Sequence, residues 1–376
     1  MNEEHIFILE WGQKYSRLLY VLFEQAGEIE LIDGNHCESE GMDGGLPDDI
    51  QLASKTFENL RRPLEEKYDI KIQTLFVLLR SGGKRSYVVK NPAPYLRAIK
   101  RGHFEQRHFN LPQLGELPHH TEPFDVYESD LEARVFAINS TQRERIQQAL
   151  LDQDCFVESF LSLPRIGVKS REQKRPGLML GMHWENSIAL SSIDGDLTYY
   201  REFPFSLQST LQNISEFLKI SLEKSERVLA WIMTPPSAYN FDQEDAEFQQ
   251  IYLSKDFASV KNQVADELDR LAIMIKQDLE QSGIWDVGFD QLHLFGEASP
   301  LFRRFTFLRD IIPLEPTDLP LSFKSKMEAH LKHDKFAHLV RLSEHSYHLR
   351  IKNRRVMEEG EPFRVLKNWT RRLLGK

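Results

Sequence analysis

The sequence predicts an α/β fold made of two similar halves, because one order of elements occurs twice. Residues 5–67 read as three short strands followed by a helix, and residues 178–219 repeat that order. The second copy contains an Asp194-Gly195 turn, which is typical of a two-residue hairpin. Each copy is followed by a segment of different character. We therefore expect a duplicated fold with an inserted subdomain in each half, although the two copies share little sequence.

The first half is predicted to span residues 1–81, with returning segments near 160–177 and 339–350. The turn GMDGGLPDD ends at Asp48 or Asp49, and either residue can cap a helix from about Ile50 to Lys67. That helix places Leu52, Phe57, Leu60 and Leu64 near helical spacing. The segment YDIKIQTLFVLLRSG is almost continuously apolar, as expected of a strand at the centre of a sheet.

Residues 82–159 are predicted to form the first inserted subdomain. Several prolines and polar aromatic residues precede a strand near residues 134–138 and a helix near residues 143–151. The boundaries of this segment follow from that change in composition.

The second half is assigned to residues 178–225 and 287–338. It is expected to contain a helix over residues 208–218, a buried strand that ends in a turn at Gly296, and a helical segment over residues 324–338. Between these parts, residues 226–286 are predicted to form the second inserted subdomain, with a strand at VLAWIM and a long helix that stops at Ser282-Gly283.

Composition excludes several classes of protein. The chain of 376 residues has a formal net charge of -9 and its body has no concentrated basic patch, which argues against a nucleic-acid binder. Cys37 and Cys155 form no CxxC motif and no histidine spacing resembles a known ligand set, so we expect neither a disulfide framework nor a metal site. A reducing cytoplasm is the simplest location. The acidic N-terminus is unlike a signal peptide, and no apolar window is long enough to span a membrane.

Residues 362–376 are predicted to form an amphipathic helix that binds a membrane surface, after a polar linker over residues 351–361. From Arg350 onward there are nine Lys and Arg residues against three Asp and Glu residues, whereas the rest of the chain has 39 against 54. This partition favours contact between the tail and an anionic surface. The alternative is a terminal helix that packs on its own domain. The apolar face comprises Phe363, Val365, Leu366, Trp369, Leu373 and Leu374, and the opposite face carries Arg364, Lys367, Arg371 and Arg372.

The order of motifs resembles the bacterial cell-division protein FtsA, a family of actin-like ATPases. At the family's first phosphate hairpin, D-x-G-T, this chain has Glu10, Trp11, Gly12 and Gln13, and GMDGGLPDD stands where the family has a similar turn before its first helix. The resemblance covers the whole chain and includes the terminal helix. It implies an actin-like (ribonuclease H-like) fold with two halves around a nucleotide cleft.

The second hairpin and the nucleoside turn depart from the family pattern. The family's D-x-G-x-G-T corresponds to Gly181, His183, Glu185 and then Asn186 or Ser187, and its T-G-G turn corresponds to Phe295, Gly296 and Glu297. A carboxylate directed at a triphosphate repels it. We therefore expect ATP and Mg²⁺ binding to be weak or absent and ATP hydrolysis to be lost or weak.

Only a few positions remain as remnants of the nucleotide cleft, and no residue is assigned a catalytic role. These remnants are Glu10, Gly12, Gln13 and Gly296.

The resemblance to FtsA implies a peripheral protein on the inner face of the cell membrane, which tethers division filaments at the septum. In that family the second insertion contacts the C-terminal peptide of the tubulin-like protein FtsZ, and the matching region is about residues 226–286. Self-association would let several tails act together.

Two alternatives stay open. One is a protein similar to PilM of type IV pili, which binds a short cytoplasmic peptide of an inner-membrane protein, and the other is an active actin-fold ATPase.

Overall fold

The computed structural model contains two five-stranded sheets of the same topology, which confirms the predicted duplicated α/β fold. The first sheet has, in spatial order, β10 Phe156–Ser162, β6 Thr74–Leu79, β1 Glu4–Glu10, β2 Tyr15–Phe23 and β3 Ile29–Glu38. The second has β15 Pro316–Asp318, β14 Gln291–Phe295, β11 Gly177–Met182, β12 Ser187–Ile193 and β13 Asp196–Phe203. In each sheet an antiparallel meander of three strands is extended by two parallel strands. The structure describes residues 4–23, 29–80, 84–90, 121–128, 132–167, 175–193, 196–234, 250–251, 255–304, 312–318 and 334–358.

The first half consists of its sheet, a two-stranded ladder and helices α1 and α2. Its meander turns at the ends of β1 and β2, and β6 and β10 then add in parallel beside β1. The bounds are β1 Glu4–Glu10, β2 Tyr15–Phe23, β3 Ile29–Glu38, β4 Met42–Asp43, β5 Leu46–Pro47, α1 Ile50–Tyr68, β6 Thr74–Leu79, α2 Ser140–Leu151 and β10 Phe156–Ser162.

Helix α1 begins and ends close to where the sequence places it. Asp49 is the N-cap, because its side chain accepts a hydrogen bond from the Leu52 backbone N–H at 3.0 Å. Phe57 and Leu60 are buried as predicted, but Leu52 is 40% exposed. Leu52 lies in the first turn of the helix beside Gly41, where an added Cβ on Gly41 would lie 2.6 Å from the Leu52 Cβ.

A separate three-stranded sheet of order β7-β9-β8 lies within the segment expected to be the first insertion. Its strands are β7 Lys84–Lys90, β8 Thr121–Glu128 and β9 Glu132–Asn139. The same segment also supplies α2, whose buried Ile146, Ala149 and Leu150 belong to the apolar cluster around α1. The small sheet is therefore distinct, whereas α2 and β10 pack as parts of the first half.

The second half repeats the meander and carries its helices between and after the strands. A hairpin joins β12 to β13 as predicted, with Ile193 paired to Asp196, and the turn residues themselves lie outside the described ranges. The bounds are β11 Gly177–Met182, β12 Ser187–Ile193, β13 Asp196–Phe203, α3 Leu207–Leu218, α4 Leu222–Met233, α5 Lys255–Gln281, α6 Ile284–Val287, β14 Gln291–Phe295, α7 Ser299–Arg304 and β15 Pro316–Asp318.

The prediction of a strand at VLAWIM is wrong, because this segment forms the second half of helix α4. Ser221 caps that helix, and Ser225, Val228, Leu229 and Ile232 recur at helical spacing on its buried face. A short apolar run fits a buried strand and a buried helix equally well, so the pattern alone did not separate them. Apolar residues of α4 and α5 lie in the same core cluster as β11 and α3.

Helix α8, Asp334–Glu358, connects the two halves. Its buried Leu339 and Val340 belong to an apolar cluster that also contains Ile8 of the first sheet and Leu190 of the second. The helix continues to Glu358, so the stretch expected to be a linker is helical to that point. The predicted membrane helix over residues 362–376 and the segment 324–333 lie outside the described residues.

Candidate functional site

The duplication places oppositely charged residues at equivalent points of the two halves. In the parallel strand pairing, Glu10 of β1 and Gly181 of β11 are equivalent. Arg80 and Glu297 are then also equivalent, since each lies two residues beyond the strand partner of those positions. The two side chains meet between the halves, with Arg80 Nη2 at 3.3 Å from Glu297 Oε1.

A buried ion cluster forms at this point from Glu10, Arg17, Arg80 and Glu297. Arg17 donates to Glu10 Oε2 at 2.9 Å and to Glu297 Oε1 at 2.5 Å. Arg80 likewise donates from Nε to Glu10 Oε1 and from Nη2 to Glu297. The side chains of Glu10, Arg17 and Arg80 are at most 3% exposed, and that of Glu297 is 10% exposed. Each guanidinium therefore contacts one carboxylate from the first half and one from the second half.

Two histidines complete the cluster. His183, which follows β11, has its Nδ1 at 3.2 Å from Glu297 Oε2. His338 of α8 has its Nε2 at 3.1 Å from Glu10 Oε2. The two imidazole centroids are 6.0 Å apart. Each carboxylate thus contacts both arginines and one histidine, which satisfies charges that are costly to bury alone.

The ionised form of each carboxyl group is stabilised in spite of its burial. Burial alone would raise the pKa of Glu10, but Arg80, His338 and Arg17 hold it well below its usual range. The pKa of Glu297 is also well below its usual range, because the two arginines and a histidine outweigh the effect of burial. Burial opposes the charge on Arg17 and Arg80, but the carboxylates raise the pKa of both guanidiniums. The two carboxylates and the two guanidiniums are therefore all ionised, and their charges balance.

His183 is neutral at pH 7. Burial, followed by repulsion from Arg80, lowers the pKa of its imidazole to about 3, although Glu297 acts in the opposite direction. A neutral imidazole that faces a carboxylate through Nδ1 donates from Nδ1–H, so its Nε2 is the unprotonated nitrogen.

The turn between β1 and β2 in the first half also contacts the equivalent turn between β11 and β12 in the second half. The backbone N–H of Gln13 donates to Glu185 Oε1 at 2.5 Å. An added Cβ on Gly12 would lie 3.9 Å from the same carboxylate oxygen and 2.5 Å from the Tyr15 carbonyl oxygen. The Glu185 carboxylate therefore lies against the first hairpin, where it accepts a backbone hydrogen bond.

Lys14 adds a contact beside this hydrogen bond. Its ammonium group forms an ion pair with Glu226 of α4 and lies 4.4 Å from the centroid of the Trp184 ring. The side chains of Lys14 and Glu226 are 19% and 36% exposed, so this pair is less buried than the ion cluster.

Gly296 is required by close packing as well as by its backbone conformation. Its φ is +88°, and an added Cβ would lie 2.3 Å from the Met182 carbonyl oxygen and 2.9 Å from ring atoms of His183. The turn after β14 is thereby pressed against the end of β11, which brings Glu297 to the cluster.

Of the sequence-predicted remnants, Glu10 is a member of the cluster and Gly296 directly precedes Glu297, whereas Gly12 and Gln13 lie at the first hairpin turn against Glu185. Sequence reasoning missed three of its members, which are Arg17, Arg80 and His338. Arg80 carried a usable signal, because it is a charged residue directly after the apolar strand β6, which has a neighbouring strand on either side. The other two belong to a mostly buried strand and to a helix with no charge pattern that points to a cleft.

Within the described ranges, no three His, Cys, Asp or Glu side chains are grouped so as to hold a metal ion. The described helices all lack the combination of length and hydropathy that a membrane span requires.

Comparisons with known proteins establish the fold. No protein-family model matches the chain, and no curated protein matches it by sequence. Among solved structures, the chain is similar to a chain of the PilM–PilN type IV pilus biogenesis complex, with 14% identity, a TM-score of 0.66 and coverage of 90% of this chain and 98% of that chain. It is also similar to ethanolamine utilization protein EutJ from Carboxydothermus hydrogenoformans, with 10% identity, a TM-score of 0.52 and coverage of 91% and 90%. The chain has the actin-like ATPase fold, as predicted.

The depressed pKa of His183 predicts that acid destabilises the protein before its carboxylates titrate. An unfolded histidine titrates near pH 6.5, whereas folded His183 has a pKa of about 3. Below pH 6.5 the unfolded state therefore binds more protons, and the free energy of unfolding falls by up to about 1.4 kcal/mol per pH unit. Urea unfolding at pH 7.5, 6.5, 5.5 and 5.0 measures this slope.

His183→Asn keeps an N–H donor toward Glu297 and removes the titration, so we expect its slope over this range to be flatter. The matched control is His36→Asn on the exposed part of β3, which should keep the wild-type slope. Equal slopes in wild type and His183→Asn would contradict the assignment.

Proposed function

We propose that this chain is a non-catalytic actin-fold assembly protein that binds a peptide of a membrane-embedded partner. The observation that supports it best is the ion cluster, in which the chain's own carboxylates take up the positions that the sequence resemblance assigns to nucleotide contacts. Glu297 stands at the nucleoside turn and Glu185 accepts the Gln13 backbone N–H of the first phosphate hairpin. In this proposal the cleft is a structural joint and no longer a catalytic site.

The charge of the cluster supports the loss of nucleotide binding. Arg17 and Arg80 are already neutralised by Glu10 and Glu297, so a triphosphate meets no uncompensated positive charge there. Phosphate binding at the first hairpin requires free backbone N–H groups, and that of Gln13 is engaged by Glu185. To enter, Mg-ATP would have to displace buried carboxylates from well-formed ion pairs, which is costly.

The proposal of a peptide partner rests on similarity to the PilM–PilN complex. That structure is an assembly of two proteins, and the similarity covers 98% of the matched chain. We propose that this chain likewise works through a protein partner of a membrane-associated machine, from a peripheral position on the cytoplasmic face.

We expect this chain to bind a cytoplasmic peptide from a membrane protein encoded beside its gene. Fluorescence anisotropy with labelled synthetic peptides measures the affinity, and we expect micromolar dissociation constants that Mg-ATP leaves unchanged. A scrambled peptide of equal composition is the control for charge effects. Binding that requires Mg-ATP would contradict the non-catalytic proposal, and failure of every neighbouring peptide would contradict the pilus-type partner.

A second candidate function is the FtsA-like adaptor that tethers division filaments to the inner membrane. The sequence of residues 362–376 favours it, because apolar and cationic residues separate onto opposite faces. Each Lys or Arg near an anionic surface contributes about 1 kcal/mol, so one tail binds reversibly and several tails on self-associated chains bind more firmly. Here the partner would be an FtsZ-like C-terminal peptide that contacts residues 226–286. Selective binding of that peptide in the same anisotropy assay would favour this candidate.

The tail makes a prediction that holds for either partner. Trp369→Glu places a charge on the predicted apolar face of the tail, so we expect it to reduce co-sedimentation with anionic liposomes to the level of a chain truncated at Gly360. Asn368→Gln changes the predicted polar face and should sediment like the wild type. Equal sedimentation of the wild type and the truncated chain would show that the tail does not bind lipid.

A further inference from the structure

We propose that the two halves are held together by a permanent latch formed from the chain's own charged groups, so that the cleft stays closed without a ligand. The latch is defined as Arg17, Arg80 and Glu297 with the outer contacts Gln13–Glu185 and Lys14–Glu226. It concerns the mechanics of the fold and does not depend on which partner the protein binds.

The inner layer of the latch crosses from one half to the other through two guanidiniums. Arg17 belongs to β2 and Arg80 follows β6, so both come from the first half, whereas Glu297 follows β14 of the second half. The crossing distances are 2.5 Å from Arg17 Nη2 and 3.3 Å from Arg80 Nη2, both to Glu297 Oε1. Glu10 anchors both guanidiniums from within the first half, which fixes their orientation.

The outer layer repeats the same polarity at the two hairpin turns. The Gln13 backbone N–H and the Lys14 ammonium group belong to the first half, and they contact Glu185 and Glu226 of the second half. In each crossing contact of the latch, the first half supplies the donor and the second half supplies the carboxylate. The two surfaces are therefore complementary in charge, which favours one closed arrangement.

Loss of Glu297 alone should release the inner layer. Arg17 and Arg80 would then share only Glu10, which leaves one positive charge uncompensated in a buried place. Separation of the halves hydrates that charge and so relieves the cost. The apolar cluster shared by both sheets and α8 keeps the halves attached, so we expect an opened chain and not an unfolded one.

A matched control is available in the ion pair between Glu158 of β10 and Arg350 of α8. Arg350 Nε lies 2.9 Å from Glu158 Oε1, and the two side chains are 10% and 18% exposed. This pair resembles the latch in chemistry and near-burial, but it does not join the two sheets. Glu158→Gln therefore removes a comparable charge without touching the latch.

The test is the distance between two spin labels, one on each half, measured by pulsed electron paramagnetic resonance on the full chain without nucleotide. The labels replace the exposed residues Lys55 of α1 and Gln277 of α5, in a background of Cys37→Ser and Cys155→Ala. We expect one narrow distance distribution in this background and in Glu158→Gln. We expect Glu297→Gln to broaden the distribution toward longer distances.

An unchanged distribution in Glu297→Gln, or a broad one in the unmodified latch, would overturn the proposal. If Glu297→Gln does not fold, the double variant Glu297→Gln/Arg80→Met is measured instead, because it removes both charged crossing contacts and leaves Arg17 paired with Glu10. Broadening in the double variant supports the latch, and a distribution equal to that of the background overturns it.

Discussion

The two halves of this protein meet at a pair of buried guanidinium groups that each contact a carboxylate from both halves. Buried ions are stable only when every charge is compensated and every donor has an acceptor, so this contact restricts how the halves can be placed. His183 and His338 each contact one of the two carboxylates, and the close packing of Gly296 brings Glu297 to the arginines. The position of α8 is tied to the same point, since His338 contacts Glu10.

The duplication explains how such a cluster can arise. Residues that follow equivalent strands of two similar halves face each other across the line between them, and here those residues are Arg80 and Glu297. With opposite charges they form a contact between the halves. In an actin-like fold this region corresponds to the nucleotide cleft, so the same geometry can serve either a ligand or a fixed ion pair. We infer that in this chain the geometry serves a fixed ion pair.

Much of the fold could be predicted from the sequence, because its signals are local. Asp49 as a cap, the helix that follows it and the hairpin at Asp194-Gly195 depend on residues close in the chain. The segment VLAWIM was assigned wrongly because an apolar run does not distinguish a buried helix from a buried strand. The site was only half predictable. The sequence predicts that the carboxylates of Glu185 and Glu297 disfavour phosphate binding. The arginines that neutralise Glu297 come from distant segments, and only the tertiary structure brings them together.

Calorimetric titration of Mg-ATP into the full wild-type chain tests the central claim most directly, because the triphosphate and the carboxylates Glu185 and Glu297 compete for one region. We expect no saturable binding heat in the wild type. Micromolar affinity accompanied by phosphate release would contradict the claim, since it would mean that the ion cluster yields to a ligand and that the cleft is a working nucleotide site.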